Sequence, residues 1–334
     1  MIRKIYWLLF LSTVLLCPLA SLAQLNWQNV DSLFQPLPSS VHIYFTDEKI
    51  DTGAFRAYYL IADLGDKKLE FTVDTTLNRR LTPAKFYERN EKAIAVVNCT
   101  FFSFATNRNL DIIVKNGKLL GYNTHTIAGR GKDTLIYKHP FVSALGISKK
   151  RTADIAWVYT DSTLHNPYAT QYVQKLIVDS SSVLSFATVK SIRRSSSLHP
   201  RSSDFEPTFA KWKMKTAVGG GPVLVQNGEI DVTNNQELKF AGKAINDKHP
   251  RTAMGYTRDG RLIILAVQGR SESGGGATLV QEAKILKDLG CIEALNLDGG
   301  GSSCLLVNGK ETIKPSDKEG QRPVPGVFLI KVKQ

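Results

Sequence analysis

Short apolar runs broken by turn residues dominate this chain. Runs rich in β-branched, aromatic and aliphatic residues at 55–64, 69–75, 93–102, 111–114, 222–225, 262–268, 292–297 and 304–307 predict strands. Between them stand Asn116-Gly117, Asn227-Gly228, Asp259-Gly260 and Asn308-Gly309, dipeptides that tight hairpin turns favour because both residues tolerate positive φ. Much of the sheet is therefore expected to be antiparallel.

Helical signals are fewer. Thr82-Pro83 offers an N-cap followed by proline at the first helical position, which predicts a short helix. Over 278–289, Thr278 and Gln281 form a capping box, Leu279, Ala283, Leu286 and Leu289 make an apolar stripe, and Gly290 stops the helix. Glu282 falls on the apolar side of that stripe, where a carboxylate needs a partner or shifts its pKa. It either meets an arginine as a structural pair or helps to build a site. Serines, basic residues and two prolines mark 191–215 as a surface excursion. Strict alternation of strand and helix is absent, so the class is α+β: a largely antiparallel or mixed sheet with a few packed helices.

The first residues change the picture of where the protein works. Arg3 and Lys4 precede an apolar stretch at 5–17, and Ser21-Leu22-Ala23 offers small residues for cleavage before Gln24, the pattern of an export signal. The stretch is short for a membrane span, and Leu16 before Cys17 argues against a lipid anchor. The expected product is periplasmic or extracellular, with a β-rich segment at 24–90 followed by a domain at 91–334. The formal charge of +13 falls by two, to +11, once Arg3 and Lys4 are removed, which favours anionic partners. Nucleic acid is not expected, since no recognised binding motif accompanies the charge. Cys99, Cys291 and Cys304 lie in or beside apolar runs, so buried free thiols are favoured over one disulfide with a thiol left over. HExxH, paired CxxC and histidine-rich signatures are missing, so neither metal nor cofactor is expected.

The densest chemistry is Asp298-Gly299-Gly300-Gly301-Ser302-Ser303 after the apolar run Leu295-Asn296-Leu297. Three glycines strip a loop of side chains and let backbone N–H groups approach an anion, while Asp298 supplies a nucleophile, general base or electrostatic stabiliser. No lysine follows the glycines, and a strand comes next, so this is not a phosphate loop of the nucleotide-binding kind. A related loop stands at Gly219-Gly220-Gly221-Pro222. The segments at 218–228 and 298–309 echo one another, with the hairpin half repeated at 112–117, which suggests loops gathered at one end of a sheet. Arg251 and Arg270 flank the strand pair turned by Asp259-Gly260, where a guanidinium can clamp a phosphate in bidentate fashion. Asn98 ends a strand and offers an amide to a sugar hydroxyl or phosphate oxygen, while Phe101 and Phe102 read as core. His125 and His249 are further acid or base candidates, though a lone histidine is more often structural.

Read in order, Asn98-Cys99-Thr100-Phe101-Phe102, Gly219-Gly220-Gly221-Pro222-Val223-Leu224, Pro250-Arg251-Thr252-Ala253-Met254-Gly255, Gly276-Ala277-Thr278-Leu279 with Glu282, and Asn296-Leu297-Asp298-Gly299-Gly300-Gly301-Ser302-Ser303 resemble the phosphodiester glycosidase family over roughly residues 90–332. The chain departs from the family pattern at Cys99, where glycine is usual, and at Gln268, where many members carry aspartate. The resemblance implies hydrolysis of a sugar-1-phosphodiester at its glycosidic bond, releasing sugar and a phosphomonoester. It implies Asp298 and Glu282 as catalytic residues. Asn98, Gly220, Gly221, Arg251, Arg270, Thr278, Gly299, Gly300, Gly301, Ser302 and Ser303 would bind phosphate or shape the pocket. A non-catalytic binder of anionic glycans on the same fold is the alternative, motivated by Gln268 and the positive charge, and a phosphodiesterase cutting P–O ranks third.

Overall fold

The computed structural model describes residues 25–91, 93–195 and 205–333, the side chains of 193–195 and 205–207 excepted. The export-signal residues and part of the 191–215 excursion lie outside the described residues. Every pairing between the named strands is antiparallel.

Three sheets make the body. An eight-stranded sheet runs Gln28–Asn29, Val41–Thr46, Ala57–Asp63, Arg261–Val267, Arg251–Thr257, Cys291–Asn296, Val223–Gln226 and Glu229–Ile230. A five-stranded sheet runs Lys310–Glu311, Leu305–Val307, Ala95–Asn98, Gly326–Val332 and Leu69–Thr75. A seven-stranded sheet is centred on Ala153–Tyr159, Val142–Ile147 and Thr216–Gly219. Strands from the first ninety residues are woven into the first two sheets, so residues 25–90 share the body that carries the glycine loops.

Period-two alternation sorts side chains between cores. In Arg261–Val267, Leu262, Ile264 and Ala266 join the central core, while Ile263, Leu265 and Val267 face the opposite way with Leu279, Ala283 and Leu286 of the helix Leu279–Asp288. In Ala95–Asn98, Ala95 and Val97 point to the same central core, and Val96 packs outward with Phe86 of the helix Pro83–Arg89. The seven-stranded sheet adds Leu145, Ile155 and Trp157 to that core and turns Ala144, Ala156 and Val158 away toward Trp212. Each sheet thus gives one face to a shared interior. Strands buried on both faces carry continuous apolar runs, which is why they stood out.

Local expectations fare well. All four Asn-Gly or Asp-Gly turns join antiparallel partners. At Asn116, Asn227 and Asn308 both turn residues hold positive φ, whereas at Asp259-Gly260 only the glycine does. Both arms of the Thr278 capping box form, at 3.1 Å from the Gln281 N–H and 3.0 Å to the Gln281 side chain. Cys99, Cys291 and Cys304 are free and buried. Burial pushes the Cys99 thiol up to about 12, so it is inert at neutral pH. Among the described residues no helix is long and apolar enough to cross a membrane.

Candidate active site at the Asp298 loop

Strand ends from two sheets converge on the glycine loops. Arg251–Thr257 begins there, while Arg261–Val267 and Cys291–Asn296 end there, and Val223–Gln226 starts just beyond Gly219-Gly220-Gly221. Asn296 stitches the two loops together. Its amide donates to the Gly221 carbonyl at 2.9 Å and the Leu297 carbonyl at 2.7 Å, and its own carbonyl accepts the Gly221 N–H at 2.7 Å. A side chain at Gly220 would overlap the Asn296 carbonyl, and one at Gly221 would strike Glu237 and Lys239. These glycines are there so that strands can close on the site.

Asn98 arrives from the five-stranded sheet, at the end of Ala95–Asn98. It is fully buried. Its amide donates to the Asp298 carbonyl at 2.5 Å, and its oxygen accepts from the Thr252 hydroxyl at 2.9 Å and the Cys304 N–H at 3.0 Å. Asp298 rests its own N–H on the Cys99 carbonyl at 2.9 Å. The structure therefore places Asn98 beneath the loop as a clamp, with its amide engaged by protein partners.

Asp298 keeps part of its surface open to solvent, yet burial of its carboxyl raises its pKa to about 7. The nearby Ser302 hydroxyl, the Arg322 guanidinium and the Gly299 backbone pull the other way, while the charge of Asp111 adds to the rise. The Ser303 hydroxyl is buried without a hydrogen-bond partner, and the buried Ser302 hydroxyl faces only the Asp298 carboxyl. Buried polar groups are normally paired, so an orphaned hydroxyl beside a perturbed carboxyl marks a place suited to a ligand.

The expected nest of backbone donors is largely spent within the protein. Gly300 N–H is bound by the Pro250 carbonyl at 2.9 Å, Ser302 N–H by Gly299 and Ser303 N–H by Gly300. The glycines serve close approach instead. Gly300 holds φ +61° with the Arg270 guanidinium against it, and a side chain at Gly301 would overlap the Arg322–Asp317 pair. Arg270 is exposed and, at φ +59°, lies in the left-handed region that non-glycine residues rarely occupy. Arg322 is held by Asp317 through two bonds of 2.7 and 2.9 Å. Of the two arginines expected at the loop, Arg270 reaches it, and Arg322, which the sequence did not mark, is the second cation there.

Arg251 lies deeper than a phosphate ligand was expected to. Its Nε donates to the Ala277 carbonyl at 3.0 Å and an Nη to the Asp247 carbonyl at 3.3 Å, with the guanidinium over the Phe240 ring. Glu282 is completely buried with both oxygens unpaired, and burial lifts its pKa to about 8 against the opposing charge of Arg251. Among the described residues no ion pair closes between them, and they act on each other through charge alone. Thr278 spends its hydroxyl on the cap. Glu282, Thr278 and Arg251 form one group, and Asp298 with Ser302, Ser303, Arg270 and Arg322 forms another, joined through Pro250.

Residues 91–331 match the family described as phosphodiester glycosidase. The chain belongs to the phosphodiester glycosidase family. Over 102 residues it is 33% identical to the mouse N-acetylglucosamine-1-phosphodiester alpha-N-acetylglucosaminidase, a match covering 28% of this chain and 20% of that protein. Over 73 residues it is 45% identical to the SPbeta prophage-derived protein YomE of Bacillus subtilis strain 168, covering 22% of this chain and 11% of that one. These matches span about a fifth or less of each relative's length. The catalytic domain of the zebrafish N-acetylglucosamine-1-phosphodiester alpha-N-acetylglucosaminidase superposes with a TM-score of 0.55 at 20% identity, covering 93% of this chain and 89% of that domain, which shows a common fold.

Family membership leaves the departures to be read from the structure. Gln268 is buried, donating to Ser271 at 3.0 Å and Ser273 at 2.9 Å and accepting the Lys314 N–H at 3.0 Å. It fastens the turn that carries Arg270. Burial lowers the His249 pKa, and the charges of Arg251 and Arg270 push it the same way. His125 stacks on Tyr159 and accepts the Thr160 N–H at 2.9 Å, a structural place in the seven-stranded sheet.

Asp111 and Lys239 were not singled out from the sequence. Asp111 is buried, bonds Lys239 at 2.5 Å and accepts the Phe101 N–H at 2.9 Å, with the Lys239 ammonium over the Phe101 ring. The carboxylate at the head of Asp111-Ile112-Ile113-Val114 is the same kind of signal that marked Asp298 at the end of its run. Arg322 carried no such mark. Among the described residues no group of three histidine, cysteine or acidic side chains is placed to hold a metal ion.

Proposed function

We propose that this protein hydrolyses the glycosidic bond of a sugar-1-phosphodiester in the periplasm or outside the cell, releasing free sugar and a phosphomonoester. The observation that carries the reading is the combination at one loop: a carboxyl held near pKa 7, the buried Ser302 hydroxyl beside it and the unpartnered Ser303 hydroxyl next to that, and two guanidiniums against glycine backbone. A phosphodiester fits the hydroxyls and arginines. Its phosphomonoester is a good leaving group, so the chemistry leans on stabilising positive charge at the anomeric carbon rather than on a strong general acid. Asp298 in its ionised form supplies that stabilisation. Asn98 fixes the carbonyl of Asp298, and Arg322 favours the charged form. Glu282, held largely protonated at neutral pH by its burial, offers a buried carboxyl near Arg251.

The test is release of sugar from N-acetylglucosamine-1-phosphate methyl diester by purified protein. Asp298→Asn is expected to lower kcat/KM by on the order of 10²–10³-fold. In ¹⁸O-labelled water the sugar, not the phosphate, gains the label. Full turnover by Asp298→Asn, or label in the phosphate, would overturn the assignment. Binding of anionic glycan without release of reducing sugar would favour the non-catalytic binder that Gln268 first suggested.

A further inference from the structure

A small three-stranded sheet, separate from the three large ones, runs Ile177–Asp179, Tyr137–His139 and Ile127–Ala128. Its register sets Ile127, Lys138 and Val178 side by side on one face and turns Tyr137 and His139 to the other. The second face is anchored. His139 is completely buried, with Nδ1 3.0 Å from the Thr126 hydroxyl and 3.2 Å from the His125 carbonyl, and Nε2 3.1 Å from the Asp179 carboxylate.

The first face is open to solvent. Ile127 is 40% exposed and Val178 52%. Ile136, whose carbonyl takes the Gly129 N–H at 2.8 Å, continues the ladder on the Lys138 side and is 39% exposed, and Leu135 in the connecting turn is 78% exposed. That turn has a fixed shape: the Asp133 N–H bonds the Arg130 carbonyl at 3.2 Å, the Ile136 N–H bonds the Asp133 carbonyl at 2.9 Å, and a side chain at Gly129 would overlap the Asp133 carbonyl. Arg130, Lys132 and Lys138 are exposed and enter no ion pair among the described residues, and the hairpin sets a single carboxylate, Asp133, against them.

Aliphatic side chains beside uncommitted cations suit a surface that is anionic outside and hydrocarbon beneath. A soluble polyanion would engage the cations and leave Ile127, Leu135, Ile136 and Val178 in water. A second copy of this face would set Lys138 against Lys138, which like charge disfavours. We infer that this hairpin face docks the protein on a bilayer that carries anionic phospholipid.

Flotation with vesicles of equal parts phosphatidylglycerol and phosphatidylcholine, beside vesicles of phosphatidylcholine alone, tests this on the chain from Gln24 onward, which contains every described residue and lacks the apolar stretch at 5–17. The chain is expected to bind the anionic vesicles at least about tenfold more tightly than the neutral ones, and to be released as salt rises to about 0.5 M. Lys138→Glu should weaken that binding about fivefold or more, and Leu135→Ser combined with Ile136→Ser roughly tenfold. Thermal melts check that the variants fold, and Val178→Ser, on a different strand, repeats the apolar arm. No preference for the anionic vesicles, or a preference that none of these substitutions alters, overturns the inference. Equal weakening of binding to a soluble anionic polysaccharide assigns the face to a polymer and overturns it too. Diester turnover is not the readout, so the outcome is independent of the role given to Asp298.

Discussion

Burial raises the pKa of both Glu237 and Asp298, and the two carboxyls have opposite fates. Glu237 accepts five bonds: from the Ser143 N–H at 2.9 Å and hydroxyl at 2.8 Å, the Val223 N–H at 2.9 Å, the Thr233 hydroxyl at 2.6 Å and the Trp157 indole at 3.2 Å. Ser143 and Trp157 belong to the seven-stranded sheet and Val223 to the eight-stranded one, so this carboxylate fastens two sheets. Asp298 keeps part of its surface open, with only the Ser302 hydroxyl beside its carboxyl and the Ser303 hydroxyl left unpaired. A saturated acid is a fastener, and an unsaturated one is stored chemical capacity. Burial alone does not tell them apart; the count of committed donors does.

Exchanging the two acids for residues without charge should therefore give mirror-image results. Asp298→Asn is expected to lose the 10²–10³-fold activity described above while keeping its fold, read by circular dichroism beside the diester assay. Glu237→Ala should strand several buried donors and cost roughly 3 kcal/mol or more of stability, seen as a lower midpoint in urea. If Glu237→Ala kept wild-type stability, or Asp298→Asn unfolded, the comparison would fail.

The pH dependence sharpens it. Burial raises the Asp298 pKa from 3.8 to about 7, so the folded state favours the protonated acid. That stability is fully present below 3.8 and is lost as pH rises through about 7. Thermal melts should thus show Asp298→Asn gaining on wild type as pH rises from 5 to about 7, by several degrees, and Glu282→Gln doing the same from pH 5 to about 8, then levelling off. The ionised form does the chemistry, so kcat/KM of wild type should rise through about pH 7 and level off. A profile flat across pH 6–8 would remove Asp298 from that role. The smallest effect is at Thr278, whose hydroxyl is a cap: Thr278→Ala should cost roughly 1 kcal/mol of stability and leave KM unchanged.

Much of this was legible in advance because it is local. The strand 69–75 was read to the residue, the Asn-Gly turns follow from the tolerance of those residues for positive φ, and the Thr278 cap follows from two side chains three positions apart. Strands such as Val142–Ile147 and Gly326–Val332 were not picked out, since their place depends on partners far along the chain. The protein partners of Asn98 and Gln268 were not legible for the same reason. An amide can serve ligand or backbone, and only its neighbours say which.

The sequence by itself determined the units: apolar strands of alternating face, hairpin turns, one capped helix with a carboxylate on its buried side, and an aspartate leading three glycines and two serines. Those properties need only the chain's own geometry and side-chain chemistry. The tertiary structure decided which cations meet the glycine loop, that Asn98 clamps it from another sheet, that Asp111 charges it from beside, and that Glu237 is consumed where Asp298 is not. Such choices depend on which groups are left without partners after strands some 200 residues apart have paired, as Asn98 and Val327 have, and no local pattern encodes that remainder.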